Sequence, residues 1–284
     1  MTQAPRKPFD DEIDVFGLTH PGKVRRTNED HFLLAAIHKR IRVLSTSLSI
    51  EAVTAREDRL AFVGMVADGV GGLESGEEAS ATALEAVLHY LGESTDCYYR
   101  AEGGTDEFER ELVAAAMRAH QAVKDRAAAD GHGQMATTLT IYMGVWPTYY
   151  LVQVGDSRYY LYRDGQLTQV SRDQTVAQDL VDRGVLTAEA AQKTKLGHVL
   201  SSAIGGDEAT PVVTRLRSEW GTAHLMCSDG LTKHVSDARI AEVLGSMTSA
   251  KQAAEQLLQD ALDDGGTDNI TIIVGRTAPK PGRG

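Results

Sequence analysis

Short apolar runs separated by polar turns fill the first part of the chain and predict three strands. The runs read IDVFGLTH, HFLLAAIH and LAFVGMVAD, and the third is apolar enough to be buried on both faces. Residues 39–59 form a longer connection between the second and third runs, with room for an additional hairpin.

Apolar residues then recur at helical spacing and predict two helices, over 74–92 and 105–129. Acidic residues fill the first turn of the first helix, and Thr105 with Asp106 supplies a cap for the second. The apolar stripes are Leu84, Val87, Leu88 and Leu91 in the first helix and Phe108, Leu112, Ala116, Ala119 and Val123 in the second.

The second half of the chain returns to strands. TTLTIYMGV, YYLVQVGD and RYYLYRDGQLTQVS predict a β-meander, with Asp164-Gly165 as a hairpin turn. Residues 174–192 are predicted to be helical, TAHLMCSDG is a buried strand, helices follow near 237–245 and 249–262, and NITIIVGR is the last strand. This order predicts an α+β fold in one domain over 13–276, with a flexible arm at 1–12 and a tail at 277–284.

Composition narrows the function classes. The chain has 284 residues, 42% of them hydrophobic, and a formal charge of −11 with a pI near 5.3, which argues against nucleic acid as a partner. No run reaches the length of a membrane span, and the N-terminus lacks the apolar segment of a secretory signal. Two cysteines are too few for a disulfide framework or a zinc cluster, so a cytoplasmic location is expected.

Aspartates stand repeatedly where an apolar strand meets a turn. Any one of them alone is most simply a turn residue, but five strand ends on one rim of a sheet can converge, and five converged carboxylates repel unless cations neutralise them. An all-oxygen ligand set favours Mg²⁺ or Mn²⁺ over zinc or copper. The five are Asp30, Asp68, Asp156, Asp229 and Asp268.

Six segments carry a family resemblance. VRRTNED, VADGVGG, MATTLT, VGDSR, CSDGL and GGTDNIT occur in the order and approximate spacing seen in the metal-dependent protein Ser/Thr phosphatases of the PPM family (protein phosphatase type 2C). The resemblance implies a four-layer α-β-β-α sandwich, two central antiparallel sheets flanked by helix pairs. It further implies phosphoserine and phosphothreonine proteins as substrates and a Ser/Thr kinase as the opposing enzyme. For the oligomeric state, a monomer is the default expectation.

The resemblance also implies a site with two Mn²⁺ or Mg²⁺ ions and a third, weaker metal site. Asp68 would bridge the two ions, and a hydroxide between them would attack phosphorus directly, without a covalent intermediate. The remaining implied roles are Asp30 and the Gly69 carbonyl at the first ion, Asp229 and Asp268 at the second, Asp156 with Asp229 at the third, and Glu29 acting through bound water.

Arg25 matches the phosphate-binding arginine of the family, since a guanidinium fork fits phosphate oxygens in pairs. Arg26 beside it is a competing candidate. Neither cysteine stands in a Cys-x5-Arg context, which disfavours a thiolate nucleophile.

Two positions depart from the family pattern. Val70 stands where many eukaryotic relatives have a histidine that is a proposed general acid, and SRDQT at 171–175 replaces a common Asp-His-Ser, which leaves the role of Asp173 open. His31 is the one histidine inside a motif and is expected to face away from the site. Residues of about 174–206 resemble the flap beside the active-site groove, where Lys193 and Lys195 are either substrate contacts or solvated lysines.

Other functions compete with this interpretation. A catalytically inactive regulatory member would be expected to lack a metal aspartate, and all are present. An enzyme restricted to anti-sigma-factor antagonists usually carries a sensor or membrane segment. A nucleotide site would need a Gly-rich phosphate loop of the known spacings, and a structural calcium site would need an EF-hand loop; neither motif is present.

Overall fold

The structure of the protein, a computed structural model, describes residues 6–40, 57–70, 74–93, 106–131, 134–192 and 194–279. The strands are β1 (Ile13–His20), β2 (Asp30–Arg40), β3 (Glu57–Val70), β4 (Ala136–Thr137), β5 (Leu139–Val145), β6 (Thr148–Val154), β7 (Arg158–Arg163), β8 (Gln166–Gln169), β9 (Val212–Arg217), β10 (Ala223–Cys227) and β11 (Ile270–Thr277). The helices are α1 (Glu74–Glu93), α2 (Asp106–Asp130), α3 (Val176–Asp182), α4 (Ala188–Gln192), α5 (Asp229–Thr232), α6 (Asp237–Ser246) and α7 (Ala250–Asp263).

The strands form two antiparallel sheets. The first sheet has the order β1-β11-β10-β7-β8, and the second has the order β2-β3-β5-β6-β9, with β4 paired to β3. Helices α1 and α2 pack against each other and α1 covers β3, whereas α7 lies on β1 and β11 and α6 contacts β7 and β8. The four-layer α-β-β-α sandwich and the α+β class are therefore confirmed.

Each sheet buries one face against its helix pair and the other face against the opposite sheet. Alternation along a strand produces this arrangement: on β3, Met65 packs under the helices while Val66 packs between the sheets. Adjacent tyrosines do the same, because Tyr149 lies between the sheets and Tyr150 packs against Phe108 of α2 with ring centroids 4.8 Å apart. The prediction that the third apolar run is buried on both faces is confirmed.

The interface between the sheets contains a cluster of rings. The hydroxyl of Tyr159 lies 2.6 Å from Nδ1 of His224, and the rings of Tyr142 and Tyr149 stack with centroids 5.3 Å apart. Burial lowers the pKa of His224 to about 4, so the ring is neutral at pH 7. These aromatic contacts fix the separation of the two sheets, and the ends of those sheets carry the predicted site.

Strand β1 pairs along its whole length with β11, from Ile13 opposite Thr277 to His20 opposite Ile270. The hydroxyls of Thr19 and Thr271 lie 2.8 Å apart across this pair. In the sheet order, β11 is the neighbour of β1, so the first and last described strands complete the first sheet together.

Several local predictions differ from the structure. Residues 6–12 are not a loose arm: Glu12 is buried and its carboxylate pairs with Arg6 at 2.6 Å, since burying a charge requires a partner. Leu88 is 43% exposed although its neighbours in the stripe are buried, so that stripe is narrower than predicted. Residues 174–192 form two short helices, α3 and α4, around a turn at Gly184, whose φ is +71°.

Other predictions agree or lie outside the described residues. The stripe of α2 is fully buried, and Asp164 and Gly165 both have positive φ in the predicted hairpin turn. The hairpin proposed within 39–59 and the cap at Thr105 fall largely or wholly on residues that the structure does not describe. Across the described helices, none is long and apolar enough to span a bilayer.

Candidate functional site

Two predicted ligands stand side by side on neighbouring strands. Asp30 begins β2 and is the register partner of Asp68 on β3. The backbone of Asp68 is fixed on its other side, because its N–H donates to the hydroxyl of Thr138 at 3.0 Å and its carbonyl accepts from Thr137 and Thr138 at 2.9 Å. The strand pairing therefore brings two carboxylates together at one end of the second sheet.

Gly69 lets the chain pass between two backbone carbonyls. A Cβ at Gly69 would lie 2.3 Å from the carbonyl oxygen of Gly76 in α1 and 2.8 Å from that of Glu29. The N–H of Gly69 donates to the carbonyl of Glu29 at 3.2 Å. The glycine after Asp68 is thus required by close backbone approach, and β3 continues through it to Val70.

Two further aspartates come from the first sheet. Asp229 begins α5 directly after β10, and Asp268 directly precedes Asn269 and β11. Ser228 links the two sheets, since its hydroxyl donates to Oδ2 of Asp30 at 2.7 Å while its oxygen accepts from the N–H of Thr271 at 3.0 Å. Aspartates from both sheets therefore meet at the same end of the sandwich.

Asp156 lies in the turn that joins β6 of the second sheet to β7 of the first. Gly155 has a φ of +102°, and its N–H and carbonyl are both bonded to Gln174, at 2.8 and 3.0 Å. The hydroxyls of Ser157 and Thr138 lie 2.8 Å apart behind the turn. This support holds Asp156 beside the other four aspartates.

A cavity of about 550 Å³ opens where these elements meet. Four of the five aspartates line it, and the fifth, Asp30, is 2% exposed beneath them. Glu29, Gly69 and Arg25 also line it, whereas Arg26 does not. The other lining residues are Val70, His198, Leu200, Lys233, His234, Thr267 and Asn269.

The aspartates of the second sheet and the turn resist ionisation. Burial raises the pKa of Asp30 to about 7 despite hydrogen bonds from Ser228. Burial, followed by the charge of Asp30, raises the pKa of Asp68 well above its ordinary value, and burial with the charge of Asp229 raises the pKa of Asp156 to about 7. A nearby cation would stabilise the ionised form of these buried carboxyl groups.

The aspartates of the first sheet already contact cationic side chains. Lys233 Nζ lies 2.7 Å from Asp229 Oδ2 and 2.7 Å from Asp268 Oδ2. Arg25 Nε lies 2.7 Å from Asp268 Oδ1. Burial opposes ionisation of Asp268, but the hydrogen bonds and charges of Lys233 and Arg25 outweigh it and lower the pKa of Asp268.

The donor set fits a hard divalent ion. Asp30 Oδ1 is buried and has no hydrogen-bond partner, as expected of an oxygen that faces a cation. Five further carboxylates line the cavity, those of Glu29, Asp68, Asp156, Asp229 and Asp268, and this oxygen-rich set suits Mg²⁺ or Mn²⁺ although His198 and His234 also line the wall. Among the described residues, no three His, Cys, Asp or Glu side chains already surround one point at ligating distance; Lys233 and Arg25 lie against two of the carboxylates instead.

The structure assigns structural rather than chemical roles to three residues that the sequence analysis discussed, His31, Asp173 and Cys227. His31 faces α1, where its Nδ1 lies 3.0 Å from the hydroxyl of Ser80, so it lies apart from the cavity. Asp173 pairs with Arg158, whose Nη2 lies 2.7 Å from its Oδ2, and thereby braces the segment that holds Asp156. Cys227 is buried and its pKa is raised to about 12 by burial, which rules it out as a thiolate nucleophile.

The structure adds residues that the motifs did not identify. Asn269 connects the loop of Arg25 to β11: its side-chain amide donates to the carbonyls of Pro21 and Thr27, and its Oδ1 accepts from the N–H of Glu29 at 2.9 Å. Asn269 belongs to the GGTDNIT segment, so the sequence motif contained this residue although it did not reveal its contacts. In the segment predicted to be the flap, His198 and Leu200 line the cavity, Lys195 is exposed, and Lys193 is outside the described residues.

Comparison with known proteins assigns the family. The family model described as "Protein phosphatase 2C" matches residues 50–264. The chain belongs to the protein phosphatase 2C family. This match includes Asp68, Asp156 and Asp229, whereas Arg25, Asp30 and Asp268 lie outside the matched residues.

Individual members of the protein phosphatase 2C family resemble the chain over most of its length. The serine/threonine protein phosphatase PstP of Mycobacterium tuberculosis is 36% identical over 210 residues, which cover 74% of this chain and 39% of that protein. The crystal structure of the M. tuberculosis serine/threonine phosphatase PstP/Ppp has a TM-score of 0.74 and 31% identity, covering 94% of this chain and 99% of that one. A structure of the PstP catalytic domain in complex with two manganese ions has a TM-score of 0.71 and 30% identity, covering 94% and 99%. The chain thus spans about two fifths of the curated PstP sequence.

Proposed function

We propose that this chain is a metal-dependent phosphatase that hydrolyses phosphoserine and phosphothreonine in proteins. The observation that carries the proposal is the convergence of aspartates from both sheets on one cavity that also contains Arg25. Family membership and the names of the relatives support the same activity. Substrates would be the products of Ser/Thr kinases.

The carboxylates would hold a pair of Mn²⁺ or Mg²⁺ ions, which supply a nucleophile at neutral pH and neutralise phosphate charge when bound. Asp68 would be shared by both ions, with Asp30 and the Gly69 carbonyl on one side and Asp229 and Asp268 on the other. Asp156 with Asp229 would provide a weaker third site. The resident manganese ions of the PstP structure support this assignment.

The chain's own residues would bind and orient the phosphoryl group. Arg25 lies at the edge of the cavity with half of its side chain exposed. Its Nε and Nη2 contact Asp268, so a substrate from solvent would meet the edge of the guanidinium that carries Nη1. Asn269 holds the Arg25 loop through Pro21 and Thr27 and so sets the direction of the guanidinium. Two parallel donors on the equatorial phosphate oxygens stabilise the charge that develops during in-line transfer.

Glu29 is placed to position a water molecule at the cavity wall. It is 7% exposed, its backbone is held by Asn269, and it lines the cavity. The flap closes the opposite side through His198 and Leu200. Because Val70 offers no proton, the leaving hydroxyl would take its proton from water or from another residue of the wall.

Hydrolysis of a phosphothreonine peptide with Mn²⁺, Mg²⁺ or EDTA tests the proposal. Asp68→Asn is expected to lower kcat at least about 100-fold at saturating Mn²⁺, because it removes the shared ligand. Asp164→Asn is the matched control: Asp164 lies in the β7–β8 turn with positive φ, which asparagine also adopts. Activity that persists in EDTA, or an equal loss in both variants, would contradict the proposal.

A further inference from the structure

The Lys233 ammonium lies directly between two carboxylates that the proposed function assigns to a metal ion. Its Nζ is 2.7 Å from Asp229 Oδ2 and 2.7 Å from Asp268 Oδ2. The lysine side chain is 26% exposed, and the two aspartates are 22% and 19% exposed, so the contact is largely shielded from solvent. A cation already lies at this part of the cavity.

Local structure holds the lysine in this place. Lys233 follows α5 and its N–H closes the last turn on the carbonyl of Asp229 at 2.9 Å. The spacing of four residues, with the acid toward the N-terminus, is the favourable arrangement for an ion pair on a helix. Asp268, from the segment before β11, then contacts the same ammonium and also Arg25. The contact therefore joins two separate segments of the first sheet.

Among the described residues, no Lys or Arg makes such a contact with Asp30 or Asp68, the other half of the cluster. Asp30 Oδ1 is buried without a hydrogen-bond partner, and Asp30 Oδ2 accepts a hydrogen bond from the neutral hydroxyl of Ser228 at 2.7 Å. A cation that approaches Asp30 and Asp68 therefore has no Lys or Arg side chain of the described residues to displace. A cation that approaches Asp229 and Asp268 meets an ammonium group first.

We propose that Lys233 competes directly with a divalent ion for Asp229 and Asp268, so that an ion binds on this side only when the ammonium moves away. The inference rests on the proposed function, because it takes the two aspartates as ligands. Binding of Mn²⁺ is then stepwise: the ion beside Asp30 and Asp68 binds tightly, and the one beside Asp229 and Asp268 binds weakly. Lys233 thereby sets the metal concentration at which the site is complete.

Direct titration of the metal-free protein with Mn²⁺, followed by the electron paramagnetic resonance of free Mn²⁺, measures both steps without an activity assay. Lys233→Gln is expected to lower the Kd of the weaker step by about tenfold or more, because no ammonium group then has to leave Asp229 and Asp268 before an ion can bind. Lys233→Arg keeps the charge and is expected to retain a weak second step.

Lys251→Gln is the matched control. Lys251 pairs with Glu255 at 3.7 Å, also four residues apart on a helix, and its side chain is 62% exposed. It changes the net charge of the protein by the same amount, so its expected Kd values equal those of the wild type. Equal effects of Lys251→Gln and Lys233→Gln would overturn the proposal, because they would reflect net charge alone.

The proposal is overturned if the Kd of the weaker Mn²⁺-binding step is the same in the wild type and in Lys233→Gln. A higher KM for phosphopeptide in Lys233→Gln would not rescue it, because KM reports on substrate and not on the metal. Lys233→Met repeats the comparison, and unfolding curves in EDTA establish which variants are folded. Asp68→Asn separates the two hypotheses: if it abolishes Mn²⁺ binding while Lys233→Gln has no effect, the metal centre stands and the competition does not. If Mn²⁺ binds neither the wild type nor Lys233→Gln, both fail.

Discussion

Gly69→Ala is the sharpest test of how the chain positions Asp68. The new Cβ would lie 2.3 Å from the Gly76 carbonyl oxygen and 2.8 Å from the Glu29 carbonyl oxygen. Both are backbone atoms that a rotamer change cannot remove, so α1 or the segment before β2 must shift. Gly64→Ala is the control on the same strand, since its Cβ would meet the Leu34 side chain at an ordinary 3.5 Å.

The magnitude follows from these contacts. Overpacking of this kind costs about 1–3 kcal/mol, and loss of the 3.2 Å bond from the Gly69 N–H to Glu29 adds about 1 kcal/mol. We therefore expect Gly69→Ala to lower the free energy of unfolding by about 2–4 kcal/mol. Gly64→Ala is expected to change it by less than about 1 kcal/mol, since alanine in a strand offsets the added volume.

Urea unfolding in EDTA measures the two free energies, and Mn²⁺ titration of the folded variants measures the site. Because Gly69 follows Asp68 directly, Gly69→Ala is also expected to weaken Mn²⁺ binding about tenfold or more, and Gly64→Ala is not. Equal unfolding free energies for the two variants would show that the close approach at Gly69 does not constrain the fold. Loss of stability with unchanged Mn²⁺ affinity would refute the link to the site.

Three further predictions concern the phosphate, the metal and the ring cluster. Arg25→Lys is expected to raise KM for a phosphopeptide about tenfold, because the paired donors are lost, whereas Arg26→Lys is expected to leave KM unchanged. Equal KM values in the two variants would contradict the assignment of phosphate binding to Arg25. Addition of Mn²⁺ at about 100 times its Kd is expected to stabilise the wild type by about 2.7 kcal/mol in thermal unfolding and to leave Asp30→Asn unchanged. The lowered pKa of His224 means that its contribution to stability is complete above its ordinary pKa of 6.5 and is lost as pH falls toward about 4. Between about pH 7 and pH 5, in EDTA, the free energy of unfolding of the wild type is thus expected to fall by up to about 2 kcal/mol more than that of His224→Gln. Solvent screening of the partly exposed ring reduces this difference. Parallel curves of unfolding free energy against pH would contradict the prediction.

Periodicity and strand-end chemistry predicted much of this architecture. The α2 stripe follows from helical spacing, because the period of a stripe identifies its element, and the burial of β3 on both faces follows from its continuous apolar run. Leu88 belongs to the predicted apolar stripe of α1 and is nevertheless exposed, since a stripe does not reveal how far a neighbouring layer extends. Its position depends on the packing of α1, which is a tertiary property.

The residues of the site also fall into those that the sequence identifies and those that only the tertiary structure identifies. Aspartates at strand ends are visible in the sequence because their turns are local, and their convergence follows once the sheets are paired. Lys233 and Ser228 carry no such signal: Lys233 contacts Asp268, 35 residues away, and Ser228 contacts Asp30, 198 residues away. Contacts of this range depend on how β10, β11 and β2 are brought together.

The pairing of β1 with β11 has a consequence for synthesis. Strand β1 emerges from the ribosome 249 residues before β11 begins, but its neighbour in the first sheet is β11, at residues Ile270–Thr277. During translation of residues 21–269, an apolar strand therefore remains without its partner, a condition in which nascent chains recruit chaperones or aggregate. Asp268 and Asn269 also arrive at the end of this interval. A nascent chain can therefore complete neither the first sheet nor the proposed metal centre before β11 is made.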